Sequence, residues 1–163
     1  MTDLRVGQGF DVHPFSDDPA RALVLGGIPI PDSPGLVGHS DADVLAHALA
    51  DALLGAAGLG DIGTHFPASE PEWAGADSLD LLARSLALAA AAGLVPVNAD
   101  CTVVCQAPRL APFVGAMADR LGAVLGVPVS VKAKSAEGLG SLGRVEGIAC
   151  LAVALLTGTG SPT

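Results

Sequence analysis

Basic residues are the scarcest feature of this chain, whose 163 residues carry eight Lys and Arg against 17 Asp and Glu, for a formal net charge of -9. Binding a nucleic-acid backbone needs a basic face, so a nucleic-acid partner is excluded on charge. Cysteine is also sparse. Cys101, Cys105 and Cys150 form an odd set with no C-x-x-C pair, and a strand from 101 to 105 would hold its two cysteines about 13 Å apart, beyond disulfide reach. They read as small core residues in a reducing compartment. Long apolar runs are missing: Leu86 to Val95 and Ile148 to Leu156 are too short to span a bilayer, and Gly93 interrupts the first. The start of the chain has Asp3 and Arg5 and no apolar h-region, so no secretory signal is expected. Together these absences predict a cytoplasmic protein with neither a membrane nor a nucleic acid as partner.

What is present is apolar, with 50% hydrophobic residues, 15% charged residues and a mean hydropathy of +0.55. A chain of this length builds one core, expected over residues 1–157 with a flexible tail at 158–163. The apolar surplus predicts surface hidden against copies of the same chain.

Alternation predicts a strand over 4–13 with Leu4, Val6, Phe10 and Val12 on its buried face, which leaves Asp11 and His13 together on the other. LVLGGIPI at 23–30 reads as two short strands about a Gly-Gly turn, and 31–39 as loop. Ser40 followed by Asp43 resembles a capping box, and apolar positions 44, 45, 48, 49, 52 and 53 give a helix from about 41 to 57. The next twenty residues mix Gly, Pro and acids without periodicity and are expected to form a substrate lid. A second helix follows Asp77 and Ser78 and stops at Gly93; 97–106 is β-rich; a third helix runs from Pro112 to Gly126; 127–134 alternates again. The segment 147–158, GIACLAVALLTG, fits helix by its alanines and buried strand by its length.

Asp11 and His13 project from one strand face, and His47 lies on the first helix between Asp43 and Asp51 at four-residue spacing, away from its Leu and Val stripe. Asp, His and His with an open fourth position is a catalytic zinc arrangement. Each residue alone also has a plainer reading, His13 as a strand end before Pro14 and His47 as a helix histidine bonded to acidic neighbours, and spacing leaves both open. Ser40 and Asp43 read chiefly as helix caps, whereas His39, just outside the helix, is placed to meet a ligand. GLGDIG at 58–63 matches G-x-G-x-x-G, but it follows a helix instead of a strand, so a dinucleotide site is rejected; its glycines offer close backbone approach, with Asp61 between them. Lys132, Lys134, Ser135, Glu137 and Arg144 concentrate scarce cations in a Gly-rich stretch, which fits either an anion site with a carboxylate for Mg²⁺ or a solvated loop.

GFDVH at 9–13, HSDADVLAHALADALLGAAGLGDIGTHFP at 39–67, GADS at 75–78, QAPR at 106–109 and the EGLG, GR and EGIAC elements from 137 onward resemble, in register, the 2-C-methyl-D-erythritol 2,4-cyclodiphosphate synthase family. The resemblance implies an α+β fold, a four-stranded mixed sheet backed by helices in two layers, assembled as a homotrimer with active sites between subunits. It makes 147–158 a strand. It implies a phosphorus-oxygen lyase in which the 2-phosphate of 4-diphosphocytidyl-2-C-methyl-D-erythritol attacks the β-phosphorus of its own CDP group and CMP leaves. Zinc would be held by Asp11, His13 and His47, and Mg²⁺ or Mn²⁺ by Glu137. His39 and Ser135 would contact the transition state. Substrate would also meet Asp11, His13, Ser40, Asp61, Ile62, Gly63 and Phe66. Cys105, Ala107, Pro108, Arg109, Leu110 and Ala111 would line the cytosine pocket. Phosphates would meet Lys134, Ser135, Ala136, Glu137, Ser141 and Arg144. A central cavity touched by Phe10, Arg144 and Glu146 would take isoprenoid diphosphates. Three departures from the family pattern bear on those phosphate contacts: Lys134, Ser135 and Ala136 in place of a threonine run, Ser141 in place of a bulkier apolar residue, and Val145 where glycine is common. Two other functions remain open at this point, a zinc phosphoesterase that activates water and a non-catalytic trimer that senses isoprenoid diphosphates.

Overall fold

The alternating first segment forms strand β1, Leu4–Pro14, in a computed structural model that describes residues 3–159. Strands β2 (Ala22–Leu25) and β3 (Ile28–Pro34) follow, then helices α1 (Val44–Ala57) and α2 (Ile62–His65), a 3₁₀ turn at Pro71–Trp73 and helix α3 (Ser78–Ala91). Strand β4 (Leu94–Val104), helix α4 (Val114–Leu125), strand β5 (Val129–Lys134), the one-turn helix α5 (Gly140–Gly143) and strand β6 (Gly147–Gly158) complete the order. The main sheet runs β1-β6-β4-β5, antiparallel except for the parallel β4–β5 pair, which gives the expected α+β fold with a four-stranded mixed sheet. No helix among the described residues is long and apolar enough to cross a membrane.

The alanine-rich last segment is strand because β6 lies between β1 and β4, with Ile148, Cys150, Ala152, Ala154 and Leu156 buried beneath the helices. Neighbouring strands override the helix preference of alanine. The tail expected at 158–163 begins within this strand, and the Thr159 amide donates to the Gly93 carbonyl at 2.8 Å; residues 160–163 lie outside the described residues.

The burial of β1 is the reverse of the alternation reading. Leu4, Val6, Phe10 and Val12 are between 49% and 69% exposed on the single chain, while Gly7 and Gly9 are buried. Helix α1 packs directly on the glycine face: a Cβ at Gly7 would lie 1.9 Å from the Ala52 carbonyl oxygen, and one at Gly9 1.8 Å from that of Ala48. Asp11 and His13 share that face and therefore point toward α1. On the opposite side the apolar strip continues onto β6, where Leu151 pairs with Phe10 and, like Val153, is exposed.

Asp43, not Ser40, is the N-cap of α1. Its Oδ1 accepts from the amides of Leu45 and Ala46 at 3.0 and 3.2 Å and from that of Gly26 at 2.8 Å, while Oδ2 accepts from Gly27 at 2.7 Å. Gly26 and Gly27, with φ of 58° and 71°, make the left-handed two-residue turn between β2 and β3. One buried carboxylate thus ties the hairpin to the helix start. Burial pushes its carboxyl up, and the amides oppose this without cancelling it. Asp43→Ala orphans four amide donors and is expected to destabilise the fold by about 2 to 3 kcal/mol, read as a lowered midpoint in thermal unfolding with ligand absent.

Candidate functional site

Two elements distant in sequence bring three ligand atoms together. His13 Nε2 and His47 Nδ1 lie 3.1 and 3.0 Å from Asp11 Oδ2, and the three donors all fall within 4.8 Å of one another. Ligand atoms of a tetrahedral cation with bonds of about 2 Å sit roughly 3.3 Å apart, so Asp11, His13 and His47 fit a divalent metal. The orientation is fixed from outside. His13 Nδ1 donates to the Val37 carbonyl at 2.6 Å, and because a carbonyl can only accept, Nε2 is the bare nitrogen of the neutral, metal-binding ring. Burial favours a neutral Asp11, yet the two imidazoles outweigh it and hold its carboxyl well below the usual carboxylate range. Burial likewise disfavours a charged His13, and the Asp11 carboxylate overrides it to raise the histidine. The cluster is electrostatically short of a cation.

The loop that carries His39 is pinned by one guanidinium: Arg21 donates to the carbonyls of Leu36, Gly38 and Ser40. His39 is exposed, with Nε2 3.3 Å from the Glu70 carbonyl. Asp11, His13, His39, Ser40 and His47 form one side of a pocket of about 250 Å³, and Ile62, Gly63, Phe66, Ala68, Trp73 and Leu81 form the other. The segment expected as an irregular lid is thus the pocket's apolar wall, and it has structure of its own. The Ile62 amide donates to Asp51 Oδ1 at 2.8 Å, and Phe66 stacks edge-on against Trp73 with ring centroids 5.1 Å apart. Asp61 caps α2 by accepting from the Thr64 amide and hydroxyl at 2.8 and 2.7 Å.

A second pocket, of about 220 Å³, gathers Cys105, Gln106, Pro108, Arg109, Leu110 and Ala111 with Ala133, Lys134 and Ser135 at the end of β5. Burial pushes the Cys105 thiol up to about 11, so it is a neutral wall and no nucleophile. Ser135 donates to Gln106 Oε1 at 3.2 Å and accepts from the Glu137 amide at 2.9 Å. Ala107, Ala136, Glu137, Ser141 and Arg144 line neither pocket; Arg144 Nε donates to Glu146 Oε1 at 2.6 Å on the surface. Asp61 also lines neither pocket, and the predicted site residues that do line a pocket fall into two groups. Asp11 and His13 sit on one edge strand of the sheet, and Lys134 ends the other.

Sequence reasoning missed Trp73, Ala68 and Leu81 in the first pocket, and Ser78 and Asp41 behind it. A lone tryptophan in a Gly- and Pro-rich loop was the signal for the first of these. Nothing in the spacing connects 41 and 78 to His47.

Residues 4–157 match the model of the YgbB family. A relative from Symbiobacterium thermophilum, named 2-C-methyl-D-erythritol 2,4-cyclodiphosphate synthase, is 60% identical over 158 residues, 95% of this chain and 99% of its own. The solved bifunctional IspDF from Campylobacter jejuni superposes with a TM-score of 0.91 at 40% identity over 97% of this chain and 43% of that one. The Plasmodium falciparum IspF CDP complex superposes with a TM-score of 0.83 at 31% identity, covering 98% of this chain and 99% of that one.

Proposed function

The chain belongs to the YgbB family, and from that membership and its synthase relatives we infer that it cyclises 4-diphosphocytidyl-2-C-methyl-D-erythritol 2-phosphate to 2-C-methyl-D-erythritol 2,4-cyclodiphosphate with release of CMP, a step of non-mevalonate isoprenoid precursor biosynthesis. An oxygen of the 2-phosphate bonds to the β-phosphorus, the bond from that phosphorus to the bridging oxygen breaks, and CMP carries the bridging oxygen away. This is a phosphorus-oxygen lyase reaction, and a reducing cytoplasm suits its unbridged, buried cysteines.

Convergence of Asp11, His13 and His47 is the observation that carries the reading of the site. One carboxylate and two imidazoles suit zinc. When bound there, zinc would supply Lewis acidity to a phosphate oxygen, and Mg²⁺ or Mn²⁺ held by Glu137 would neutralise charge on the diphosphate as it is cleaved and CMP departs. The chain's own residues position. His39 stands at the pocket mouth on a loop that Arg21 holds, where it can donate to a phosphate. Asp61 and the Gly63 backbone meet the methylerythritol hydroxyls beside the apolar wall of Ile62 and Phe66. The second pocket takes cytosine, and Lys134 and Ser135 at its rim meet phosphate.

The complete site lies between subunits of a homotrimer. Two observations support this: the two half-sites are on opposite edges of the sheet, about 14 Å apart at the usual strand spacing, and the face with Val6, Phe10, Val12, Leu151 and Val153 is too apolar to stay wet. Phe10, Arg144 and Glu146 are exposed and available to a cavity that would take isoprenoid diphosphates.

Incubation of the purified chain with the CDP-linked substrate tests the function: CMP and the cyclic diphosphate are expected in equal amounts. Linear products would replace the cyclase by a zinc phosphoesterase, and binding of isoprenoid diphosphates without turnover by a sensor.

A further inference from the structure

The GADS stretch at 75–78 has only one helix-capping task, which Asp77 performs by accepting from the Leu79 amide at 2.8 Å. Ser78 has no part in that cap, yet it is fully buried. Its Oγ lies 2.8 Å from His47 Nε2 and in close contact with Asp41 Oδ1, while its amide donates to Asp41 Oδ2 at 3.2 Å. Ser40 completes the cluster, with its Oγ 3.1 Å from His47 Nε2 and 3.3 Å from Ser78 Oγ.

Proton counting sets the direction of these bonds. A carboxylate accepts only, and a hydroxyl has one proton to give. Ser78 gives its proton to Asp41, so toward His47 it can only accept, and His47 must carry its proton on Nε2. The lone pair is then on Nδ1, the nitrogen that faces Asp11 Oδ2. His13 reaches the same condition through the Val37 carbonyl. One histidine is oriented by backbone, the other by two side chains.

We propose that Ser78, itself held by Asp41, is the positioning residue of the metal centre: the chain from Asp41 through Ser78 to His47 fixes the His47 tautomer and aims its Nδ1 lone pair at the point shared with Asp11 and His13. This rests on the reading that a divalent cation occupies that point. Partners of metal-bound histidines typically account for about 10- to 100-fold in metal affinity.

The test uses the full chain, stripped of metal and titrated with Zn²⁺ against a competing chelator, then loaded with Co²⁺ for its visible spectrum. Ser78→Ala is expected to weaken Zn²⁺ binding by about 10- to 100-fold and to alter the Co²⁺ bands, and Ser78→Thr, which keeps the hydroxyl, to restore both. Asp41→Asn keeps Ser78 and the local shape. The Ser78 hydroxyl and amide reach different oxygens of Asp41, and the amide group has only one oxygen; with that oxygen on the Ser78 amide, its NH₂ meets the hydroxyl, the serine is free to turn its proton toward Nε2, and the same weakening is expected. Weak binding in Ser78→Ala with wild-type binding in Asp41→Asn would overturn the relay. So would unchanged affinity and spectra in both, with the metal centre itself left intact. A wild-type chain that takes up no Zn²⁺ at Asp11, His13 and His47 would remove the proposal together with the reading beneath it.

Discussion

His47→Ala is expected to lower CMP release by about a thousandfold or more and to leave the oligomeric state of the wild-type chain unchanged. Two ligands, Asp11 and His13, remain after the substitution, whereas a catalytic metal needs three from the protein. Loss of Lewis-acid stabilisation of several kcal/mol corresponds to that factor, since each 1.36 kcal/mol is tenfold in rate. Helix α1 itself tolerates the change, because alanine is the best helix former and ten residues of α1 other than His47 are buried. Parallel measurements of CMP release, zinc content and sedimentation check it. Wild-type turnover in this variant would defeat the metal assignment, and a sedimentation profile different from wild type would show that His47 does more than hold an ion.

Gly9→Ala is expected to be strongly destabilising for a single added methyl, at about 4 kcal/mol, near the upper end for point substitutions. The added Cβ would stand 1.8 Å from the Ala48 carbonyl oxygen and 2.9 Å from the Ala52 amide nitrogen. No flexible side chain is available to give way. The helix would have to lift off the strand, and because Asp11 lies two residues along β1 and His47 one residue before Ala48, the metal ligands would separate with it. Thermal unfolding should show a midpoint about 10 °C or more below wild type, and the folded fraction should bind zinc more weakly. Gly55, whose added Cβ would meet only the Gln8 carbonyl oxygen at 3.8 Å, provides the control: Gly55→Ala is expected to be neutral or stabilising.

The comparison of these two glycines shows what alternation in β1 could not convey. Period-2 patterning says which residues share a face, and it placed Asp11 with His13 correctly; it does not say which face a helix will cover. A reading by hydrophobicity buried Leu4, Val6, Phe10 and Val12, but the helix settled on Gly7 and Gly9, the only positions on the strand without a Cβ, where backbone can meet backbone. The result is an apolar strip that is exposed on the single chain. A similar ambiguity in 147–158 was composition against context, and two flanking strands decided it.

The site divides in the same way. Local chemistry in the sequence was enough for the Asp-x-His pair, the acidic stripe around His47 and the cations near Lys134, because residue type and short-range periodicity determine donors and faces. Distance across the chain was not available to it. That Ser78 and Asp41 stand behind His47, that Arg21 holds the His39 loop, and that the two pockets lie at opposite sheet edges all depend on which elements pack together. Sequence alone determined the chemical inventory and most element types; the tertiary structure decided the type of 147–158 and the meeting points, because a ligand set is a condition on separation in space, and α1 against β1 is the contact that satisfies it.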